Sequence, residues 1–295
     1  MRNPSQNIQI GLWSAFISSI YLLLADYLLN YFSSSWLLFT ALMILPLSIP
    51  TVWKMRERYA TWSKTSWMTF ALVGFLSGAY NLAFLISADQ LPISVASMFL
   101  SIASVMVLPL ACIMSARWPQ KLEIASIFMV LVGVALVLQF RPDNFSLIGL
   151  IFGLTATFLS ANATIYSGKS REILLASEAM LSKQMGKLIF ALVGLTIFVQ
   201  QDSDAPDLNI YLWALLGLYG AMKIYDTLIA SRAQFALSPL LFQSLSLLSL
   251  PLVCLAEVII FKGTFTLLQW LGIAAIILAG ILASRSKQIQ LKPIK

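Results

Sequence analysis

The sequence has no histidine, only two cysteines and few charges, which make up 11% of its 295 residues. Without histidine the chain lacks the commonest metal ligand and proton shuttle, so any proton-coupled step would fall to carboxylates. Cys112 and Cys254 both lie in apolar runs and read as small buried hydrophobes rather than a disulfide or redox pair. There is no Walker loop, no nucleotide-binding stretch and no nucleophile set beside a base. No catalysis, metal or cofactor is therefore expected. A cleavable leader is not expected either: MRNPSQNIQI is short and polar, and the apolar run behind it is long enough to be a span.

What the sequence does have is apolar surface. Hydrophobic residues make up 59% of it and the mean hydropathy is +0.87, more than a water-soluble domain of this length needs. The fold class expected is an all-α polytopic membrane protein. Ten apolar runs are long enough to be spans: 9–30, 35–53, 66–87, 92–114, 122–139, 146–168, 177–200, 209–232, 237–260 and 265–284. The loops between them are short, and the most polar is QDSDAPDLN at 201–209, with Pro206 as a breaker.

A net charge of +7 could suggest a nucleic-acid partner, but the positions of the charges argue for a bilayer instead. With a cytoplasmic N-terminus, fourteen basic residues fall on the inner side: Arg2, Lys54, Arg56, Arg58, Lys64, Arg117, Lys121, Lys169, Arg171, Arg232, Arg285, Lys287, Lys292 and Lys295. The outer loops then hold two, Arg141 and Lys262, together with Asp89, Asp143, Asp202, Asp204 and Asp207. By the positive-inside rule both termini are cytoplasmic and the number of spans is even. The expected location is a cell inner membrane, crossed many times.

The chain also repeats. A shift of 142 residues brings Gly11-Leu12 onto Gly153-Leu154, Ser18 onto Ser160 and Gly78-Ala79 onto Gly220-Ala221. The same shift brings Leu108–Cys112 (LPLAC) onto Leu250–Cys254 (LPLVC). Two five-span halves, 1–142 and 143–295, follow. An odd number of spans per half makes the second inverted relative to the first, a transporter architecture. Gly74-x-x-x-Gly78 and Gly149-x-x-x-Gly153 suit close helix contact.

Ten spans in two inverted halves, with a basic tail, resemble the drug/metabolite transporter superfamily, specifically its EamA-type ten-span branch. The resemblance rests most on SVASMFLSIASVMVLPLACIM…LVGVALV and on SPLLFQSLSLLSLPLVCL…TLLQWLGIAAIILAGILAS. It implies alternating access, with a central cavity lined by spans one, three, four, six, eight and nine.

Within that frame the stretch Gly217–Gln234, GLYGAMKIYDTLIASRAQ, stands out. Lys223 and Asp226 lie near mid-span, where each charge costs roughly 2.5–3.5 kcal/mol and must face protein or water. The repeat places Asn81 opposite Lys223 and Phe84 opposite Asp226, so the charge pair belongs to one half alone. Lys223, Asp226, Asn81, Asn162 and Gln243 form a candidate substrate site, with Tyr80, Tyr166 and Tyr225 offering apolar faces with polar tips. The competing reading is an internal Lys223–Asp226 salt bridge at i, i+3 with no substrate contact. Pro109 and Pro251 occupy equivalent places and are candidate hinges. Asp26 and Glu257 are candidate coupling carboxylates, with an interfacial role as the alternative. Glu178, Lys183 and Lys187 read as groups reaching the cytoplasmic surface. Trp13, Trp36, Trp53, Trp62, Trp67 and Trp213 read as an aromatic belt.

The function that fits these features is secondary or facilitated transport of a small polar metabolite, amino-acid-like or zwitterionic, with export favoured. A proton or counter-substrate would be its coupling partner. Alternatives are an uptake carrier for a nucleotide-linked metabolite or S-adenosylmethionine, and a non-transporting membrane receptor or scaffold.

Overall fold

In the computed structural model, the described residues are 4–32, 34–91, 93–114, 118, 120–138, 146–198, 209–237, 239–260 and 266–285. Among them there is no strand. The helices are α1 (Pro4–Leu29), α2 (Ser34–Phe39), α3 (Ile44–Ala60), α4 (Lys64–Gln90), α5 (Ile93–Met114) and α6 (Lys121–Leu138). They continue with α7 (Leu147–Ser170), α8 (Ala176–Phe198), α9 (Ile210–Ala236), α10 (Pro239–Ser246), α11 (Ser249–Ile260) and α12 (Leu267–Arg285). Gln6–Leu29, Lys64–Gln90 and Leu147–Ser170 are long and apolar enough to cross a membrane.

Local chemistry sets several boundaries. Ser63 caps α4 by accepting from the Ser66 amide at 3.2 Å, and Ser146 caps α7 through the Gly149 amide at 3.3 Å. Asn209 does the same for α9 at the Tyr211 amide. The second apolar run, read as one span, is two helices joined by a 3-10 turn, Thr40–Met43. There Thr40 Oγ1 donates back to the Leu37 carbonyl at 2.7 Å, a bond that competes with the helix ladder. The third helix then continues to Ala60, past the expected end of its span.

The two prolines behave differently. Pro109 lies inside unbroken α5, whereas α10 and α11 are separate helices with Pro251 in the first turn of α11. At the break, Leu248 and Leu250 donate to Leu245 and Leu247 in short three-residue turns. Hydroxyls bond carbonyls around the break: Ser249 Oγ donates to Ser246 O at 2.8 Å, and Ser19 Oγ to Ser249 O at 3.3 Å. Two residues before Pro109 the chain has Val107, with no hydroxyl to offer, where two residues before Pro251 it has Ser249. The proline alone does not break the helix.

Helix pairs pack α1 on α9, α4 on α7 and on α8, α5 on α7, α1 on α10 and α11, and α6 on α12. Glycines permit the closest approaches. A Cβ at Gly186 of α8 would lie 1.8 Å from the Gly74 carbonyl oxygen of α4, and one at Gly153 of α7 would lie 2.4 Å from the Phe99 ring of α5. Cys112 and Cys254 are buried and form no disulfide. The expected aromatic belt divides: Trp13, Trp53 and Trp67 are exposed, but Trp36 and Trp213 meet edge to face at 5.0 Å against the core around Phe32.

Glu178 does not reach the surface. It is fully buried at the start of α8, where it accepts from the Leu175 amide at 2.7 Å. Arg58 Nε sits 2.5 Å from its other oxygen as a charge contact without hydrogen-bond alignment. Because Arg58 is about half exposed, Arg58→Ala is expected to cost about 1 kcal/mol or less. Glu178→Ala loses the cap as well and should lower thermal stability further, by roughly another 1 kcal/mol. Equal melting temperatures for the two variants would contradict this order.

Candidate functional site

Polar side chains converge where α1, α4, α5, α7, α8, α9, α10 and α11 meet around a cavity of about 130 Å³. Seven of these elements belong to the spans expected to line it. The eighth, α8, is an addition, and it brings Lys183 and Lys187. Both lysines are buried, so the expectation that they reach the cytoplasmic surface fails. Lys187 enters eleven residues into its helix, about 16 Å along the axis. That is roughly half a hydrocarbon core, too deep for a four-carbon stem to reach the surface. The spacing of Lys183 and Lys187, one helical turn apart on one face, was a signal in the sequence that they share a destination.

Asp226 is buried in the cavity wall and accepts from Ser18 Oγ of α1 at 2.6 Å. The Lys187 ammonium donates to Thr227 Oγ1 at 2.7 Å, and Lys183 donates to Gln234 Oε1. Gln243 of α10 accepts from Ser104 of α5 at 2.8 Å and donates to Thr164 of α7 at 2.6 Å. A single amide thus ties together α5, α7 and α10. Tyr80 of α4 completes the polar wall.

The remaining sequence candidates lie elsewhere. Lys223 is buried but does not line the cavity; its Nζ lies 3.4 Å from Tyr219 Oη and 5.4 Å from that ring's centroid. It forms no salt bridge with Asp226, so the i, i+3 ion pair is absent: Arg58–Glu178 is the ion pair found among the described residues. Asn81 is buried off the cavity. Asn162 does not line it either, because its side chain donates back to the Phe158 carbonyl of its own helix at 2.8 Å. Tyr166 also stands off the wall.

Tyr225 is about half exposed. It lines a separate shallow groove with Trp13 and Arg232, its hydroxyl accepting from Trp13 Nε1 at 3.4 Å. One helix cannot aim residues 223, 225 and 226 at one point: 225 lies about 100° from 226 around the axis, and 223 about 60° on the other side. Asp26 is half-buried on α1 away from the cavity, and Glu257 has its side chain outside the described residues.

The arrangement is a partly open polar cavity whose described lining holds two lysine amines, one carboxylate and a dense set of hydroxyls. It can hold a small charged solute by direct hydrogen bonds. Among the described residues no group of three or more acidic or cysteine side chains could hold a metal.

Residues 7–139 match the EamA-like transporter family. No curated protein matches the chain. Among solved structures, a crystal structure of a protein with 13% sequence identity superposes with a TM-score of 0.68, covering 95% of this chain and 97% of its own. At that identity the likeness is one of fold.

Proposed function

We propose, from the match of residues 7–139 to the EamA-like transporter family and from the polar cavity, that this chain is a transporter of that kind and carries a small polar metabolite through the cavity by alternating access. The chain is a multi-pass membrane protein of a transporter class. The finer reading is secondary or facilitated transport of an amino-acid-like or zwitterionic solute across a cell inner membrane, with export favoured and both termini cytoplasmic. The observation that carries it is Asp226, Lys183 and Lys187, all buried, lining one cavity. Opposite charges at that depth suit the two ends of a zwitterion, and burying them serves no packing purpose that apolar residues would not serve better.

Two observations support the division into inverted halves. The family match ends at residue 139, just past α6, close to the proposed boundary at 142. The packing of α1 on α9 and of α4 on α7 is also the pair of contacts that exchange of the halves would interconvert. The ten-span count agrees with this if α2–α3 and α10–α11 each count as one broken span.

Purified protein in liposomes, offered a panel of labelled metabolites, should show saturable flux above protein-free vesicles. A folded protein that binds members of the panel but moves none would favour the receptor or scaffold reading. A reporter fused at Lys295 should read as cytoplasmic, and a signal from the outer side would sink the topology.

A further inference from the structure

The three ionisable groups of the chamber are each satisfied by a neutral partner: Lys183 by the Gln234 carbonyl, Lys187 by the Thr227 hydroxyl and Asp226 by the Ser18 hydroxyl. None is paired with an opposite charge within 4 Å among the described residues. At this depth a charge held only by neutral dipoles is short of its counter-ion, because solvent screening is weak and desolvation is incompletely compensated. The wall therefore sets two ammonium groups against one carboxylate; Asp226 stands in the field of Lys187, Lys183 and Lys223 but touches none of them, and a surplus of positive charge remains. Lys223, behind the wall against Tyr219, adds a third positive charge to the local field and no negative one.

We infer that the preferred solute is an acidic zwitterion, with two anionic groups and one cationic group on a small frame. The inference rests on the transporter reading of the same cavity and deepens it. Two carboxylates would meet Lys183 and Lys187, which stand one turn apart on α8, and the ammonium would meet Asp226 on α9. A neutral zwitterion would leave one lysine unmatched. A basic amino acid would leave both lysines matched against a single carboxylate and set a second ammonium against the surplus positive charge. The size of the chamber fits a compact solute, and its walls offer hydroxyls from seven helices for the rest of the frame.

The test is equilibrium binding of L-glutamate, L-glutamine and L-lysine to the purified full-length protein at neutral pH, by calorimetry or thermal shift. Glutamate and glutamine differ by one charge at nearly constant shape. The result expected is at least tenfold tighter binding of glutamate than of glutamine, with lysine weaker than both. Lys187→Gln and Lys183→Gln should each reduce the glutamate-to-glutamine ratio to threefold or less, and Lys187→Arg should restore most of it. Equal affinities for glutamate and glutamine in the unmodified protein would overturn the inference. So would a preference that survives in both lysine variants, or binding of none of the three.

Failure of the transporter reading looks different. In that case glutamate binds with the expected charge dependence, yet liposomes containing the protein show no flux. Conversely, flux of a neutral or basic solute without glutamate binding would keep the transporter and discard the acidic zwitterion.

Discussion

Asp226→Asn is expected to reduce transport by ten- to a hundredfold while leaving the protein folded, whereas Lys223→Met should stay within about threefold of the unmodified rate. The two residues are three positions apart on α9 and both are buried, so burial does not separate them. Position does. Asp226 lines the chamber and is its single carboxylate, while Lys223 lies outside it against Tyr219. Asparagine keeps the size of aspartate and an oxygen for the Ser18 hydroxyl, so the 2.6 Å contact from α1 can persist. What is lost is charge, and a charge-assisted contact is worth about 1.5–3 kcal/mol, the energy of a ten- to hundredfold change. Methionine at 223 keeps an unbranched stem over the Tyr219 ring and trades a cation–π contact for a sulfur–aromatic one. Flux per folded protein, with melting temperature measured alongside, decides the matter. Equal losses at both positions would restore the charge pair as a functional unit.

The contrast also marks where the sequence stops being legible. That the chain is helical and apolar, as a membrane protein is, followed from composition and run length, but the runs at 35–53 and 237–260, each read as one span, are each two helices in the structure. Asp226, Tyr80 and Gln243 could be nominated because polar groups near mid-span must face inward. Yet inward is a direction around a helix, fixed by neighbours that one sequence does not reveal. Asn162 satisfies itself on the Phe158 carbonyl, an option open to an amide on an α-helix, and so has no need of a cavity. Tyr225 turns outward to Trp13 because its neighbour Asp226 turns inward. Lys183 and Lys187 lie in the first turns of a span that starts at the cytoplasmic side, where lysines snorkel outward, but the depth of Lys187 along α8 argues against the surface and both are buried. The break between α10 and α11 could be suspected from Pro251, but Pro109 would have predicted the same break in α5. The deciding hydroxyl, Ser249, becomes visible only with its contacts.

Gly186→Ala is expected to abolish folded, monodisperse protein or to lower its melting temperature steeply, a disproportionate result for one methyl group. At Gly186 the helices α4 and α8 cross backbone to backbone. An added Cβ would lie 1.8 Å from the Gly74 carbonyl oxygen, and a Cβ at Gly78 would lie 2.2 Å from the Gly186 carbonyl oxygen. Neither obstacle is a side chain that could rotate away, so the helices must separate. Ser182 Oγ, one turn before Gly186, donates to the Phe70 carbonyl of α4 at 2.5 Å, and separation breaks that bond as well. Overpacking of this kind costs about 1–3 kcal/mol and rises when backbone is the obstacle. Function suffers even if the fold survives, because Lys183 and Lys187 flank the crossing and their reach into the chamber depends on its closeness. Gly217→Ala on α9 is the matched control: an added Cβ there meets nothing within 4 Å. With only helix propensity in play, it should leave stability unchanged or raise it by up to about 1 kcal/mol. If Gly186→Ala melts within a degree or two of Gly217→Ala, the crossing is looser than its glycines imply, and the positioning of the lysines must be sought elsewhere on α8.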